Sequence, residues 1–181
     1  MINFLNLKKI NEKYKTELMQ ALENVIDSGW YINGQQVANF ENEFATYCGT
    51  KHAIGVANGL DALVLTIKAW KLLGKLKDGD KVIVPANTYI ASVLAITENN
   101  LTPVLTEPDP YTFNLTLDQI ERSYTQDVKL IIPVHLYGCI NPMDEICRFA
   151  NKKGILVLED SAQAHGAMLG DKKAGAWGHA S

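Results

Sequence analysis

The chain has 181 residues, of which 47% are hydrophobic and 20% are charged, a balance that allows a globular protein to bury a core. A formal net charge of -3 and a pI near 5.8 argue against a nucleic-acid partner, since no cluster of Lys and Arg alternates with aromatic residues. The apolar runs are too short to span a bilayer, and the N-terminal residues lack the pattern of a secretion signal, which favours a cytoplasmic, non-membrane protein.

The first part of the chain predicts a helix followed by an aromatic loop. Apolar residues recur at three- and four-residue steps from about Lys8 to Asp27, and Ser28 with Gly29 ends the helix. Trp30 and Tyr31 follow in the loop. Two aromatic residues in a loop either serve a ligand or partner subunit, or cover the core.

The pattern then changes from helical to alternating. A second helix ends at Cys48 and Gly49, and from His52 onward short apolar segments alternate with helical ones. The apolar segments predict five strands, at residues 52–57, 81–84, 102–106, 129–134 and 155–158, and Pro103 suggests that the third lies at an edge or marks a strand start. This alternation predicts an α/β domain, a three-layer α/β/α arrangement with a mostly parallel central sheet. The glycine-rich residues after Met168 predict a hairpin, and no repeat or linker separates the chain into parts.

Polar residues follow the last predicted strand. Asp160, Gln163 and His165 come directly after residues 155–158 and so arrive at the carboxyl edge of the sheet, where ligands bind in open α/β sheets. An alternative remains open at this point, in which Asp160 caps a turn and His165 is an ordinary loop residue.

Two other turns lie at the same edge. Asn58 and Gly59 join a predicted strand to a helix that begins near Leu60, and the unsatisfied first-turn amides of such a helix suit a phosphate. The glycine could equally serve chain reversal, because neither a dinucleotide-binding fingerprint nor a phosphate-loop lysine is present. Tyr89 follows another strand and could pack in the core or stack on a ligand.

The three cysteines indicate neither a disulfide framework nor a metal site. Cys48, Cys139 and Cys147 are odd in number and form no C-x-x-C pair. Cys48 and His52 have a ligand-like spacing, but no second pair accompanies them. We therefore expect incidental thiols and no metal.

Five motifs together resemble the DegT/DnrJ/EryC1/StrS family of sugar aminotransferases, which are pyridoxal-phosphate enzymes of the aspartate aminotransferase fold. They occur in the family's order and spacing: Ser-Gly-Trp-Tyr at 28–31, Ala-Asn-Gly-Leu-Asp-Ala-Leu at 57–63, Pro-Ala-Asn-Thr-Tyr at 85–89, Pro-Val-His-Leu-Tyr-Gly at 133–138 and Glu-Asp-Ser-Ala-Gln-Ala-His-Gly at 159–166. The version at 57–63 looks like the branch that aminates C3 of dTDP-3-keto-6-deoxyhexoses.

The resemblance implies a cofactor site for pyridoxal 5'-phosphate. Asp160 would pair with the pyridine nitrogen, and Gln163 would hydrogen-bond the phenolic oxygen. Tyr89 would stack on the ring, and the amides of Gly59 and Leu60 would hold the phosphate.

The resemblance also implies residues around the substrate. His135 and His165 would flank the cofactor or the sugar, and His165 either handles a proton or packs and hydrogen-bonds. Because the family forms homodimers with shared active sites, Trp30 and Tyr31 would reach a neighbour's nucleotide-sugar substrate.

One expected residue is absent. The family places its Schiff-base lysine in a Ser-Phe-x-Pro-x-Lys type segment after the hairpin, and neither Lys172 nor Lys173 matches that segment. The resemblance therefore implies that residues 1–181 are an N-terminal segment and most of the large cofactor-binding domain of a longer aminotransferase, with glutamate as amino donor. Alternatives are action on another carbon or on a UDP-sugar, the family's dehydratase in which histidine replaces lysine, and an inactive cofactor-binding fragment.

Overall fold

The first part of the chain is helical. A computed structural model describes residues 4–181. The chain divides into two compact units, Met1–Phe44 and Ala45–Ser181. The helices that begin in the first unit are α1 (Leu7–Glu12), α2 (Lys15–Ser28) and α3 (Gln35–Cys48), the last of which ends in the second unit.

The single helix predicted from Lys8 to Asp27 is wrong in one respect, because the structure divides it. The amide of Lys13 bonds the Ile10 carbonyl at 3.2 Å and that of Tyr14 bonds the Asn11 carbonyl at 3.1 Å. Both bonds span three residues and tighten the chain, so α1 stops before α2 begins. The predicted end is confirmed, since Gly29 has a φ of 64°, the left-handed conformation that ends many helices.

The second unit is built on a parallel sheet. Its strands are β1 (Lys81–Pro85), β2 (Thr102–Thr106), β3 (Val128–Ile131) and β4 (Leu156–Val157), and their spatial order is β2-β1-β3-β4. Every pairing in this sheet is parallel. The intervening helices are α4 (Gly59–Leu72), α5 (Ile90–Glu98), α6 (Leu117–Ser123) and α7 (Met143–Lys153).

Helices cover both faces of this sheet. Val82 and Val84 of β1 pack in one apolar cluster with residues of α4 and α5, such as Ile67 and Ile96. Ile83 packs in a second cluster with residues of α6 and α7, such as Ile146. Because neighbouring strand residues point to opposite faces, these clusters are the two interfaces of the predicted three-layer α/β/α architecture, which is confirmed.

One predicted strand is wrong. Residues 52–57, predicted as a strand, form none in this structure, and Ile54 is 81% exposed. A strand requires a neighbouring backbone to pair with, and no strand of residues 4–181 pairs with this segment. The predicted hairpin is confirmed by the antiparallel pair β5 (Met168–Leu169) and β6 (Lys172–Lys173). Within residues 4–181, no helix combines the length and the apolar character needed to cross a bilayer.

Two leucines of the sheet test where the core lies. Leu130 on β3 is fully buried, whereas Leu105 on β2 is 59% exposed. We expect Leu130→Ala to lower the free energy of unfolding by about 3 kcal/mol through lost burial and cavity formation. Leu105→Ala, the matched control, should change it by less than about 1 kcal/mol. Urea denaturation measures both values, and equal losses would contradict this assignment of the core.

Candidate active site at the carboxyl edge of the sheet

Asp160 lies at the carboxyl edge, just beyond β4. A parallel bridge joins it to Val134, which follows β3. The Asp160 amide donates to the Pro133 carbonyl at 2.9 Å, and its carbonyl accepts from the His135 amide at 3.1 Å. These bonds continue the β3–β4 ladder to the level of Asp160, so its backbone is held as firmly as a strand residue.

The carboxylate of Asp160 contacts the first turn of α5. Its Oδ2 accepts a hydrogen bond of 2.8 Å from Ser92 Oγ, and Ser92 is fully buried. Among residues 4–181, its Oδ1 has a single, long contact of 3.3 Å, from the Ala162 amide. Tyr89 immediately precedes α5 and is 77% exposed. The fold therefore brings the turn of Tyr89 to Asp160 and leaves Oδ1 able to accept a stronger bond.

Gln163 is held by the turn that follows β3. Its side-chain Oε1 accepts from the Tyr137 amide at 2.7 Å. Because a backbone amide can only donate, this contact assigns the oxygen of the Gln163 amide group and leaves its Nε2 as a donor. Gly138 lies against the same residue: with a φ of 84°, an added Cβ would approach the Gln163 carbonyl oxygen to 3.3 Å. The turn therefore orients Gln163.

The N-terminus of α4 presents unpaired amides. The Asn58 side chain accepts from the Asp61 amide at 2.9 Å and caps the helix. Among the described residues no acceptor bonds the amides of Gly59 and Leu60. Two first-turn donors thus remain for an anion, as the sequence predicts. Asn99, the C-cap of α5, ties the two helices together by donating to the Val64 carbonyl on α4 at 3.2 Å.

His135 lies beneath the edge. The sequence predicts that its ring flanks the cofactor or the sugar. The structure disagrees, because the residue is fully buried. The Asn141 side chain donates to the Val134 carbonyl at 2.7 Å and accepts from the Leu115 amide at 2.8 Å, which fixes its orientation. Its Nδ2 therefore donates to His135 Nδ1 at 2.9 Å. The ring proton is then on Nε2, which donates to Glu159 Oε2 at 2.9 Å, and the ring is neutral.

Glu159 is a buried carboxylate that sequence reasoning did not single out. Besides His135, it accepts from the amides of Gly175 at 2.9 Å, Trp177 at 2.7 Å and Gly178 at 2.6 Å. Burial raises the pKa of Glu159, but the hydrogen bonds from His135, Gly178 and Gly175 outweigh it and hold the pKa below its ordinary value. The sequence contains one signal for Glu159. Side chains alternate along a strand, so the neighbour of an edge-facing Asp160 points to the opposite face.

The remaining predicted residues are exposed. His165 lies in the loop between β4 and β5. Trp30 and Tyr31 are 64% and 66% exposed in the first unit. Their loop is tied back to α2, because the Trp30 amide donates to Ser28 Oγ at 3.1 Å and the Tyr31 hydroxyl donates to the Ile26 carbonyl at 3.2 Å.

Comparison with known proteins decides the family. The family model described as the DegT/DnrJ/EryC1/StrS aminotransferase family matches residues 12–181. The chain belongs to this family. It is 51% identical over 180 residues to the dTDP-3-amino-3,6-dideoxy-alpha-D-galactopyranose transaminase of Aneurinibacillus thermoaerophilus, a match that covers 99% of this chain and 48% of the relative.

Solved structures of similar proteins have the same fold. DesV of S. venezuelae superimposes with a TM-score of 0.90 at 42% identity, covering 97% of this chain and 46% of that one. GDP-4-keto-6-deoxy-D-mannose-3-dehydratase of E. coli, solved with bound hydrated PLP, superimposes with a TM-score of 0.84 at 31% identity, covering 88% of this chain and 42% of that one. The chain thus spans about half the length of the relatives that it matches.

Cys147 lies beside the buried Glu159 carboxylate. Burial and the nearby Glu159 carboxylate raise the pKa of the Cys147 thiol to about 11, and its Sγ lies 3.4 Å from the Trp177 carbonyl as a donor. A thiol that stays protonated at neutral pH is a poor nucleophile and ligand. No three His, Cys, Asp or Glu side chains come together as a potential metal site among residues 4–181.

Replacing Glu159 tests its structural role. In Glu159→Gln, one acceptor oxygen becomes an amide nitrogen that faces donors, so buried N–H groups lose their partner. We expect the free energy of unfolding at pH 7 to fall by about 3 kcal/mol. The control Glu145→Gln, at an exposed position of α7, should change it by less than about 0.5 kcal/mol. Similar values for the two variants in urea denaturation would contradict the role of Glu159.

Acid titration tests the ionised state of Glu159. Because the folded-state pKa lies below the ordinary value of 4.5, the carboxylate contributes stability that is fully present above that pH. This stability is lost as the pH falls through the folded-state pKa. The unfolding free energy of the native protein should therefore decline more steeply below about pH 4.5 than that of Glu159→Gln. Parallel pH profiles of the two proteins would show that Glu159 is not the titrating group.

Proposed function

We propose that the protein to which this chain belongs is a pyridoxal-phosphate-dependent aminotransferase. Its amino donor is glutamate, and its acceptor is a nucleotide-linked keto sugar aminated at C3, namely a dTDP-3-keto-6-deoxyhexose. The observation that carries the proposal is Asp160, held at the carboxyl edge with one carboxylate oxygen bonded to Ser92 and the other able to accept a ligand. The name of the Aneurinibacillus thermoaerophilus relative supports the choice of sugar.

The polar groups at the edge fit pyridoxal phosphate. Asp160 Oδ1 matches the protonated ring nitrogen, and the Nε2 donor of Gln163 matches the phenolic oxygen. The amides of Gly59 and Leu60 at the start of α4 match the phosphate. The side chain of Tyr89 is exposed at the turn next to Ser92 and would cover one ring face.

The chemistry needs few protein groups. When bound, pyridoxal phosphate withdraws electrons from the carbon that carries the amino group. Asp160 keeps the proton on the ring nitrogen, because a carboxylate at hydrogen-bond distance favours the cationic form. Gln163 orients the ring through its phenolic oxygen. We propose that His165, on the loop after Asp160, binds substrate or handles a proton there.

The covalent lysine is proposed to follow Ser181. Ser181 Oγ donates to Ser161 Oγ at 2.9 Å, next to Asp160 along the chain. Residues after Ser181 would therefore start close to the site. The matched relatives, which are about twice as long as this chain, support the same proposal. The greater identity to a transaminase, 51% against 31% for the dehydratase, favours aminotransfer over dehydration.

A homodimer is part of the proposal. Leu18, Leu22 and Ile26 lie at three- and four-residue steps on α2 and are 50%, 57% and 63% exposed. A helix face of this kind is expected to be covered, and we propose a second copy of the protein as the cover. Trp30 and Tyr31, which follow α2, would then be available to the substrate of the neighbouring subunit.

The cofactor proposal is tested with the full-length protein. The purified protein should show the visible absorbance of bound pyridoxal phosphate and convert to the pyridoxamine form on addition of glutamate. In Asp160→Asn, the neutral amide no longer favours the ring proton, so we expect this conversion to slow at least about 100-fold. Asp171→Asn, in the exposed turn of the hairpin, should behave as the native protein. A rate in Asp160→Asn equal to that of this control would contradict the role of Asp160.

The dimer proposal is tested by charge on α2. Leu18→Glu combined with Leu22→Glu places two carboxylates on the apolar face, and we expect the mass in solution to change from dimer to monomer. The control Gln20→Glu adds charge to the same helix, where the native side chain bonds Glu23 and Asn24. Light scattering during size-exclusion chromatography distinguishes the species. A double variant that stays dimeric would place the interface elsewhere.

A further inference from the structure

We propose that Thr88 and Ser92 are positioning residues that hold the Asp160 carboxylate in the orientation needed to bind the ring nitrogen of the cofactor. This inference rests on the proposed function. The two hydroxyls form a chain with the carboxylate: Thr88 Oγ1 lies 2.9 Å from Ser92 Oγ, and Ser92 Oγ lies 2.8 Å from Asp160 Oδ2. We call these three side chains the hydroxyl chain.

The direction of the hydrogen bonds in this chain follows from the carboxylate. An ionised carboxylate only accepts hydrogen bonds, so the single hydroxyl proton of Ser92 must be donated to Asp160 Oδ2. Ser92 Oγ then acts as acceptor toward its neighbour, and the proton of the second bond comes from Thr88. Thr88 thus polarises the Ser92 hydroxyl, and Ser92 donates to a charged acceptor, which gives a bond stronger than one between neutral groups.

The backbone holds the hydroxyl chain in place. The Thr88 amide donates to the Pro85 carbonyl at the end of β1 at 3.3 Å, and the Ser92 amide donates to the Tyr89 carbonyl at 3.2 Å. Ser92 is fully buried on α5, whose Ala95 and Ile96 are also fully buried in the core. A side chain on a helix anchored in this way has little freedom to move away from Asp160.

The consequence for Asp160 is a restricted carboxylate. Because Oδ2 is occupied by Ser92, rotation of the carboxylate would break a charge-assisted bond to a fully buried hydroxyl. Oδ1 accepts one long contact within the described part of the chain, from the Ala162 amide, and is the oxygen left for the cofactor. Thr88 and Ser92 also flank Tyr89 in the same turn. One segment therefore orients both the group for the ring nitrogen and the group for the ring face.

The test measures cofactor affinity with and without a ring nitrogen. The full-length apoprotein is titrated with pyridoxamine 5'-phosphate, which binds without a covalent bond to protein, and with its 1-deaza analogue, in which carbon replaces the ring nitrogen. We expect Ser92→Ala to weaken binding of pyridoxamine phosphate about tenfold, as expected for loss of a hydrogen bond to a charged group. The analogue should bind native protein and Ser92→Ala equally, because neither complex has a ring nitrogen for Asp160 to bind.

Matched variants separate positioning from folding. Thr88→Val keeps the shape of the side chain but removes its proton, so affinity for pyridoxamine phosphate should fall about threefold, whereas Thr88→Ser should restore it. Thr97→Val removes from α5 a hydroxyl that, among the described residues, donates to the Leu94 carbonyl at 3.2 Å and not to the hydroxyl chain, and it should leave affinity unchanged. Urea denaturation of each apoprotein reports any loss of stability independently of the cofactor.

The outcomes are distinguishable. If the native protein binds neither ligand, the proposed function itself fails. If the native protein and Asp160→Asn differ in affinity for pyridoxamine phosphate but Ser92→Ala equals the native protein, the positioning role is overturned. Equal losses for both ligands in Ser92→Ala would also overturn it, since a purely structural defect does not depend on the ring nitrogen.

Discussion

The end of β4 depends on one buried interaction, that of the Glu159 carboxylate with its donors. Three backbone amides from residues 175–178 and the neutral ring of His135 converge on its two oxygens. A buried charge is tolerated only when it is hydrogen-bonded in this way. In return, the carboxylate joins the segment after the hairpin to the sheet and to the turn after β3, so three separate parts of the chain meet at one side chain.

The next residue uses the opposite face of the same strand. Because successive strand side chains alternate, Glu159 points to the interior while Asp160 lies at the edge. Each carboxylate has its own set of donors: mainly backbone amides for Glu159, and the Ser92 hydroxyl and the Ala162 amide for Asp160. The buried carboxylate keeps the end of the strand in place, and the edge carboxylate retains an oxygen for a ligand.

The turn after β3 connects these two functions. His135 and Asn141 anchor its two ends below the edge, and its middle adopts left-handed conformations at Tyr137, with a φ of 53°, and at Gly138, with a φ of 84°. A non-glycine residue in this conformation costs about 1–2 kcal/mol. Contacts with the surrounding residues offset this cost. In this conformation the Tyr137 amide points at Gln163. The buried network of Glu159, His135 and Asn141 thereby supports the orientation of Gln163, which it does not touch.

The sequence by itself determined the order of helices and strands from β1 onward, the parallel sheet and the arrival of Asp160 and Gln163 at its carboxyl edge, because periodicity and connection rules are local. Only the tertiary structure decided that residues 52–57 pair with no strand among residues 4–181 and that His135 is buried. It alone brought Ser92 to Asp160, a contact between residues 68 positions apart. Such contacts depend on how elements that are distant in the sequence pack together, and no local pattern along the chain indicates that packing.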